Sequence, residues 1–179
     1  MTKDEWNARQ TRLVKAWAQG DIVSAFAEIA HVVAHGSDAM KAQALIYRGM
    51  IQEDSDLAAA RQDWIEALSH APQGSHTRHV AQEKIAQACE RLNLKDDAIS
   101  WYRSALETCA DGHEFPGGHV LKSFLALIDG PLSPSDQALT LTVAKKSWRL
   151  LGLAGEPDWT DLRRVADLVA PRSEPRDDQ

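Results

Sequence analysis

The chain has 179 residues, of which 44% are hydrophobic and 26% charged, and it carries a net charge of -6. That length is enough to bury a core without disulfide or metal staples. The acidic balance argues against a nucleic-acid backbone as the main partner, because neutralising phosphates takes surplus Lys and Arg. The opening MTKDEWNARQ lacks the apolar core of a secretory signal, and no run approaches the roughly 18 apolar residues of a membrane span. A cytoplasmic protein without membrane contact is expected.

Apolar spacing is helical throughout, and no segment has the period-two, β-branched pattern of a strand. The first helix is predicted from about Lys3 to Gln19, opened by a Thr2-x-x-Glu5 capping box, with Trp6, Leu13 and Trp17 on one face. Gly20-Asp21 turns the chain into a second helix carrying Ile22, Phe26, Ile29 and Val33, which stops at Gly36. Ser37 caps a third, ending near Glu53, with Tyr47 and Ile51 inward. The Asp54-Ser55-Asp56 turn precedes a fourth helix bearing Ala60, Trp64, Ala67 and Leu68. After Pro72-Gln73-Gly74, a fifth holds Val80, Ile85, Ala86, Cys89 and Leu92, and a sixth holds Ala98, Ile99, Tyr102, Ala105 and Leu106. Pro116-Gly117-Gly118 breaks the chain before a helix from His119 to Ile128. Ser133-Pro134-Ser135-Asp136 is a strong start signal for a helix reaching Leu151, and a last helix spans about Trp159 to Val169. The tail PRSEPRDDQ is expected to be disordered. Cys89 and Cys109 fall on apolar helix faces, which suggests buried free thiols and a reducing compartment.

Two of these stretches match each other. Ala60-x3-Trp64-x2-Ala67-Leu68-x3-Pro72 aligns with Ala98-x3-Tyr102-x2-Ala105-Leu106-x3-Ala110, 38 residues later. A weaker copy, Ala25-x3-Ile29-x2-Val32-Val33, lies 35 residues before Ala60. Self-similarity at this period marks a stacked-hairpin solenoid. Small residues let helix backbones approach, and the aromatic fills the space between hairpins.

In its second helices the chain resembles the tetratricopeptide repeat family, over about residues 6–110. Ala60, Trp64, Ala67 and Pro72 match the small, aromatic, small and proline positions, and Ala98, Tyr102 and Ala105 match the first three, with Ala110 in place of proline. The turns Gly20-Asp21-Ile22, Ser55-Asp56-Leu57 and Asn93-Leu94-Lys95 hold equivalent places. First helices depart from the pattern: Arg12-Leu13, Tyr47-Arg48 and Ile85-Ala86 stand where Leu-Gly is usual, and Gly49 comes one residue late. The resemblance implies an all-α, right-handed superhelical array of antiparallel hairpins. It would form one domain over 1–170, with units at about 6–37, 41–72 and 79–110 and capping helices over 119–169.

Such arrays bind segments of other proteins on a concave face lined by the first helices. Carried over by position, that face comprises Gln10, Val14, Trp17, Leu45, Gly49, Gln52, Glu53, Glu83, Gln87, Glu90 and Arg91. Chaperone-tail clamps of the family use Lys, Arg and Asn there, and Gln10, Val14, Leu45 and Gly49 do not supply them. A neutral or basic peptide, or a folded partner, is more consistent with this slightly acidic face.

Catalytic and metal signals are weak. His76-x2-His79-x3-Glu83 has a ligand-like spacing, but a solvated polar face is the stronger reading, and no metal or other cofactor is expected. His31 and His35 lie in a helix's last turn, where an imidazolium is favourable by itself. His113-Glu114 and His119 flank a Pro-Gly-Gly break and read as a loop. Asp54-Ser55-Asp56 lacks the glycine and distal glutamate of a calcium loop, and Asp96-Asp97 are helix-start acids. No nucleophile-elbow or phosphate-loop signature occurs. Lys145, Lys146, Arg149, Arg163 and Arg164 make the C-terminal part more basic and offer a face for an acidic partner or a second copy. The expected role is non-catalytic protein binding, as an adaptor or chaperone. The alternatives are an inhibitor or immunity protein that occludes a toxin or enzyme one-to-one, and an enzyme with dispersed residues.

Overall fold

Residues 1–111 and 116–170 are described by the computed structural model. The expected loop at His113-Glu114 and the tail 171–179 lie outside them. Among the described residues all regular structure is α-helical. The elements are α1 (Lys3–Ala18), α2 (Ile22–His35), α3 (Asp38–Gln52), α4 (Leu57–His70), α5 (His76–Arg91), α6 (Lys95–Ala110), α7 (Gly118–Leu127), α8 (Pro134–Leu150) and α9 (Leu162–Val169). No helix among them is long and apolar enough to cross a membrane.

Local chemistry explains most of the helix ends. At α1 the Glu5 amide donates to Thr2 Oγ1 at 3.2 Å while the Thr2 amide donates to Glu5 Oε2 at 2.7 Å, the reciprocal capping box. Asp21, Asp56, Ser75, Ser133 and Asp161 cap α2, α4, α5, α8 and α9 through their side chains. Ser37 stands at the N-cap of α3, but its hydroxyl makes no cap bond. The last helix starts later than the Trp159 predicted for it. Asp158 draws the Thr160 amide (2.9 Å) and hydroxyl (2.6 Å) into a local turn, and the helix begins only after Asp161.

The α1–α2 and α5–α6 turns use one helix-ending device, which also closes α8 at Gly152. Gly20 and Asn93 take left-handed φ values of 74° and 59°. The next amide reaches back five residues in each case, Asp21 to the Ala16 carbonyl at 2.9 Å and Leu94 to that of Cys89 at 2.8 Å. Asn tolerates this conformation better than other side chains.

The helices form two compact units, Met1–Ala98 and Ile99–Gln179, with the boundary inside α6. In the first, Trp6, Leu13, Ile29, Val32 and Ala44 form a core from α1, α2 and α3, with Val33, Met40, Tyr47 and Ile51 against it. Trp6 Nε1 donates to Gln43 Oε1 at 3.1 Å, and Gln10 Nε2 donates to the Tyr47 hydroxyl at 2.9 Å. Both links step four residues along each helix in the same direction, so α1 and α3 run parallel. Helix α3 also contacts α4 and α5. Trp64 lies in this second group at 1% exposure, its Nε1 donating to the Ile46 carbonyl at 3.3 Å and the Lys84 ammonium 5.7 Å from its ring centre. Ala60 and Ala67, at the small positions of the pattern, are fully buried on the same helix.

In the second unit α7, α8 and α9 contact one another and bury Val120, Leu121, Phe124, Val143, Val165 and Val169; Tyr102, Leu106 and Cys109 of α6 are also buried. Cys89 and Cys109 are both buried, and neither forms a disulfide. Arg103 grips Asp136 with two bonds, Nε to Oδ1 at 2.7 Å and Nη2 to Oδ2 at 3.1 Å, while the Ser133 hydroxyl adds a third at 2.8 Å. The Arg103 guanidinium, helped by Ser133, holds the Asp136 carboxyl below the usual aspartate range. A depressed folded-state value gives stability that is complete above the unfolded value of about 4 and disappears as pH falls through the folded one. Asp136→Asn should therefore flatten the acid limb of the stability curve. Urea melts at neutral pH and about pH 3 test this, and an unchanged difference between them would reject it.

Candidate functional site

On the first unit, helices α1, α3 and α5 enclose an open cleft of about 300 Å³. Gln10 comes from α1, Gln43, Ile46, Tyr47 and Met50 from α3, and His76, Thr77 and Val80 from α5. Three helices separated in sequence by α2 and α4 thus share one surface. None of these side chains is a carboxylate, lysine or arginine, and the Tyr47 hydroxyl accepts from Gln10.

The cleft coincides only in part with the face expected from the family pattern. Gln10 lines it, and with Val14 it also borders a shallow recess along α1. Trp17 is half-buried on α1. Leu45 and Gly49, assigned to the open face, are buried, and this corrects the assignment. A Cβ on Gly49 would stand 2.6 Å from Trp64 Cε2, so that residue faces α4 and not the solvent. The register of α3 is displaced, and Gln43, Tyr47 and Met50 hold the positions given to Leu45 and Gly49. Gly49 falling one residue late was the signal for this in the sequence.

The expected acidic residues are largely engaged within the fold. Glu53 Oε2 accepts from Lys84 Nζ at 3.1 Å, and Arg91 donates to the Glu53 carbonyl at 3.2 Å and lies 3.9 Å from Asp54. Glu83 accepts from Gln87 at 3.2 Å. Gln52 is half-buried, with its Oε1 enclosed and without a hydrogen-bond partner. Glu90 and Arg91 are exposed. Glu53→Lys should then cost stability, contrary to what a free rim carboxylate implies, because it replaces an ion pair with two ammonium groups. A loss of about 1 kcal/mol is expected, or about 2–4 °C in a thermal melt; an unshifted melt would show that the pair contributes nothing.

His79 is buried on α5 with Nε2 3.8 Å from Glu83 Oε2, and its ring centre is 6.3 Å from that of the exposed His76. No group of three or more His, Cys, Asp or Glu among the described residues is arranged to hold a metal. The rings of His31 and His35 lie with centres 4.6 Å apart and planes tilted by 57°. Burial, then Arg9 and His35, push the His31 imidazole below its ordinary value.

In the second unit, part of the basic C-terminal run serves the fold. Arg163 donates to the Leu125 and Ile128 carbonyls at 2.5 and 2.8 Å, closing the end of α7. Lys146 donates to the Cys109 carbonyl, and the Lys145 ammonium sits 5.6 Å from the ring centre of Trp159, which packs edge-on to Trp148.

Comparison with protein-family models, curated proteins and solved structures found no match to this chain. Its functional reading therefore rests on the geometry of its own residues.

Proposed function

We propose that this chain is a non-catalytic protein-binding module, and that its first unit is a tetratricopeptide-like array of hairpins holding a segment of another protein on the α1/α3/α5 face. The observation that carries the reading is the open cleft itself. It lies on α1, α3 and α5, the helices on which the family pattern would place a partner, and Ile46, Met50 and Val80 supply apolar area in it. The parallel course of α1 and α3 supports the stacking. A catalytic reading has less support, since no carboxylate or thiol lines the cleft.

A photo-crosslinking residue at Thr77 tests this, with a second placed at the exposed Ala34 of α2 as control. Crosslinks to a partner in the native cell are expected from Thr77 and not from Ala34, and Met50→Glu should remove them without lowering the melting temperature. Equal crosslinking from both positions, or indifference to Met50→Glu, would reject the cleft as the binding face.

A further inference from the structure

The orientation of two amides goes further than the existence of the cleft. Indole N–H is a donor only, so the bond from Trp6 Nε1 obliges Gln43 to present its oxygen to Trp6. The Gln43 amide nitrogen, with two donor hydrogens, is thereby turned away from that bond. Gln10 is arranged the other way: its nitrogen donates to the Tyr47 hydroxyl, leaving its oxygen as an acceptor. Both side chains line the cleft. One donor and one acceptor, each held by a bond to a neighbouring helix, are the complement of a peptide unit, which carries one N–H and one C=O. Beside them Ile46, Met50 and Val80 form an apolar floor, and methionine adapts to irregular shapes. A charged group placed there would find no carboxylate, lysine or arginine among the residues that line it to balance it, which disfavours it. The volume, at the lower end of ligand clefts, suits a few side chains and not a folded surface.

We propose that the cleft recognises an uncharged peptide segment of a partner protein, seating one large aliphatic or aromatic side chain on Ile46, Met50 and Val80 and hydrogen-bonding one main-chain amide through Gln10 and Gln43. This rests on the protein-binding reading above and specifies its ligand. It also replaces the basic peptide that the acidic residue count alone would favour, because Glu53 is already paired with Lys84.

The test uses the full chain and a phage-displayed library of random short peptides. Enriched peptides should be uncharged and share one large apolar residue. With the best of them, replacing single backbone N–H groups by ester oxygens should weaken binding about fivefold at one position. That loss should vanish in Gln10→Ala, which removes the acceptor. Gln43→Glu keeps an oxygen for Trp6 but loses the donor hydrogens, and it should weaken the same peptide by at least that factor, with an unchanged circular dichroism spectrum as the check on folding. Charged peptides that Met50→Glu abolishes would overturn the recognition chemistry and leave the cleft as the binding face. A flat ester scan, or a position equally sensitive in Gln10→Ala, would overturn the amide contact. Peptides that bind Met50→Glu as tightly as the unaltered chain would bring down the cleft reading itself. An unenriched library would overturn the peptide ligand, while the crosslinking result would still judge the face.

Discussion

Trp64→Ala is expected to lower the free energy of unfolding by about 3–5 kcal/mol, the usual cost of emptying a large aromatic site in a core that cannot collapse. The indole is almost wholly buried, bonds to the Ile46 carbonyl and lies under Lys84, so three helices lose a shared contact at once. Gly49 makes the prediction sharper. A Cβ there would meet Trp64 Cε2 at 2.6 Å and Cδ1 at 2.8 Å, distances that real side chains do not sustain. Gly49→Ala gains about 1 kcal/mol of helix propensity but must displace a packed ring, which typically costs about 1–3 kcal/mol, so it should be neutral to destabilising. In the Trp64→Ala background the obstruction is gone, and Gly49→Ala should become stabilising. Chemical denaturation of the four proteins in this cycle gives the coupling directly. Additive effects would show that the ring does not rest against Gly49.

A loss of about 3 kcal/mol is expected from Arg48→Met, for a different reason. Arg48 Nη2 lies 2.6 Å from Asp63 Oδ1 and 3.2 Å from Glu66. Asp63 is 6% exposed, and its second oxygen is already buried without a partner. Removing the guanidinium strands a carboxylate away from water, and that penalty exceeds the net worth of the intact pair. The bonds to Asp63 and Glu66 also raise the Arg48 value, so the guanidinium is charged at any working pH. The double variant Arg48→Met with Asp63→Leu should recover most of the loss, since an apolar pair of similar volume substitutes well for a buried ion pair. Denaturant melts decide it. A double variant no more stable than Arg48→Met would show that the arginine acts through its stem and not its charge.

Helix positions were legible because their signals are local. Capping boxes, prolines and glycines act within four residues, so Thr2-x-x-Glu5 and Ser133-Pro134 marked starts that the fold keeps. The last helix was misplaced where two aspartates three residues apart compete for the same role, and only one of them caps. The burial of Trp64, Tyr102 and their flanking alanines could also be read from spacing alone.

The binding face was less legible, because a helix turns 100° per residue and a register error of one moves a side chain from solvent to core. Family-based placement put Leu45 and Gly49 on the surface, whereas the contact between Gly49 and Trp64 turns them inward and brings Gln43, Tyr47 and Met50 to the cleft. Charge was similarly deceptive. The sequence counts Glu53 as an acid on a rim, but its partner Lys84 lies 31 residues away and cancels it.

By itself the sequence determined that the described chain is helical, where most helices begin and end, and that Trp64 and Tyr102 are buried, since each of these follows from neighbours along the chain. Only the tertiary structure decided which carboxylates are neutralised, which way the two glutamine amides point, and that α1, α3 and α5 share a cleft lined by no carboxylate, lysine or arginine. Those properties depend on contacts between different helices, from the 15 residues between Arg48 and Asp63 to the 37 between Trp6 and Gln43, and over such separations the sequence carries no geometric record of which atoms meet.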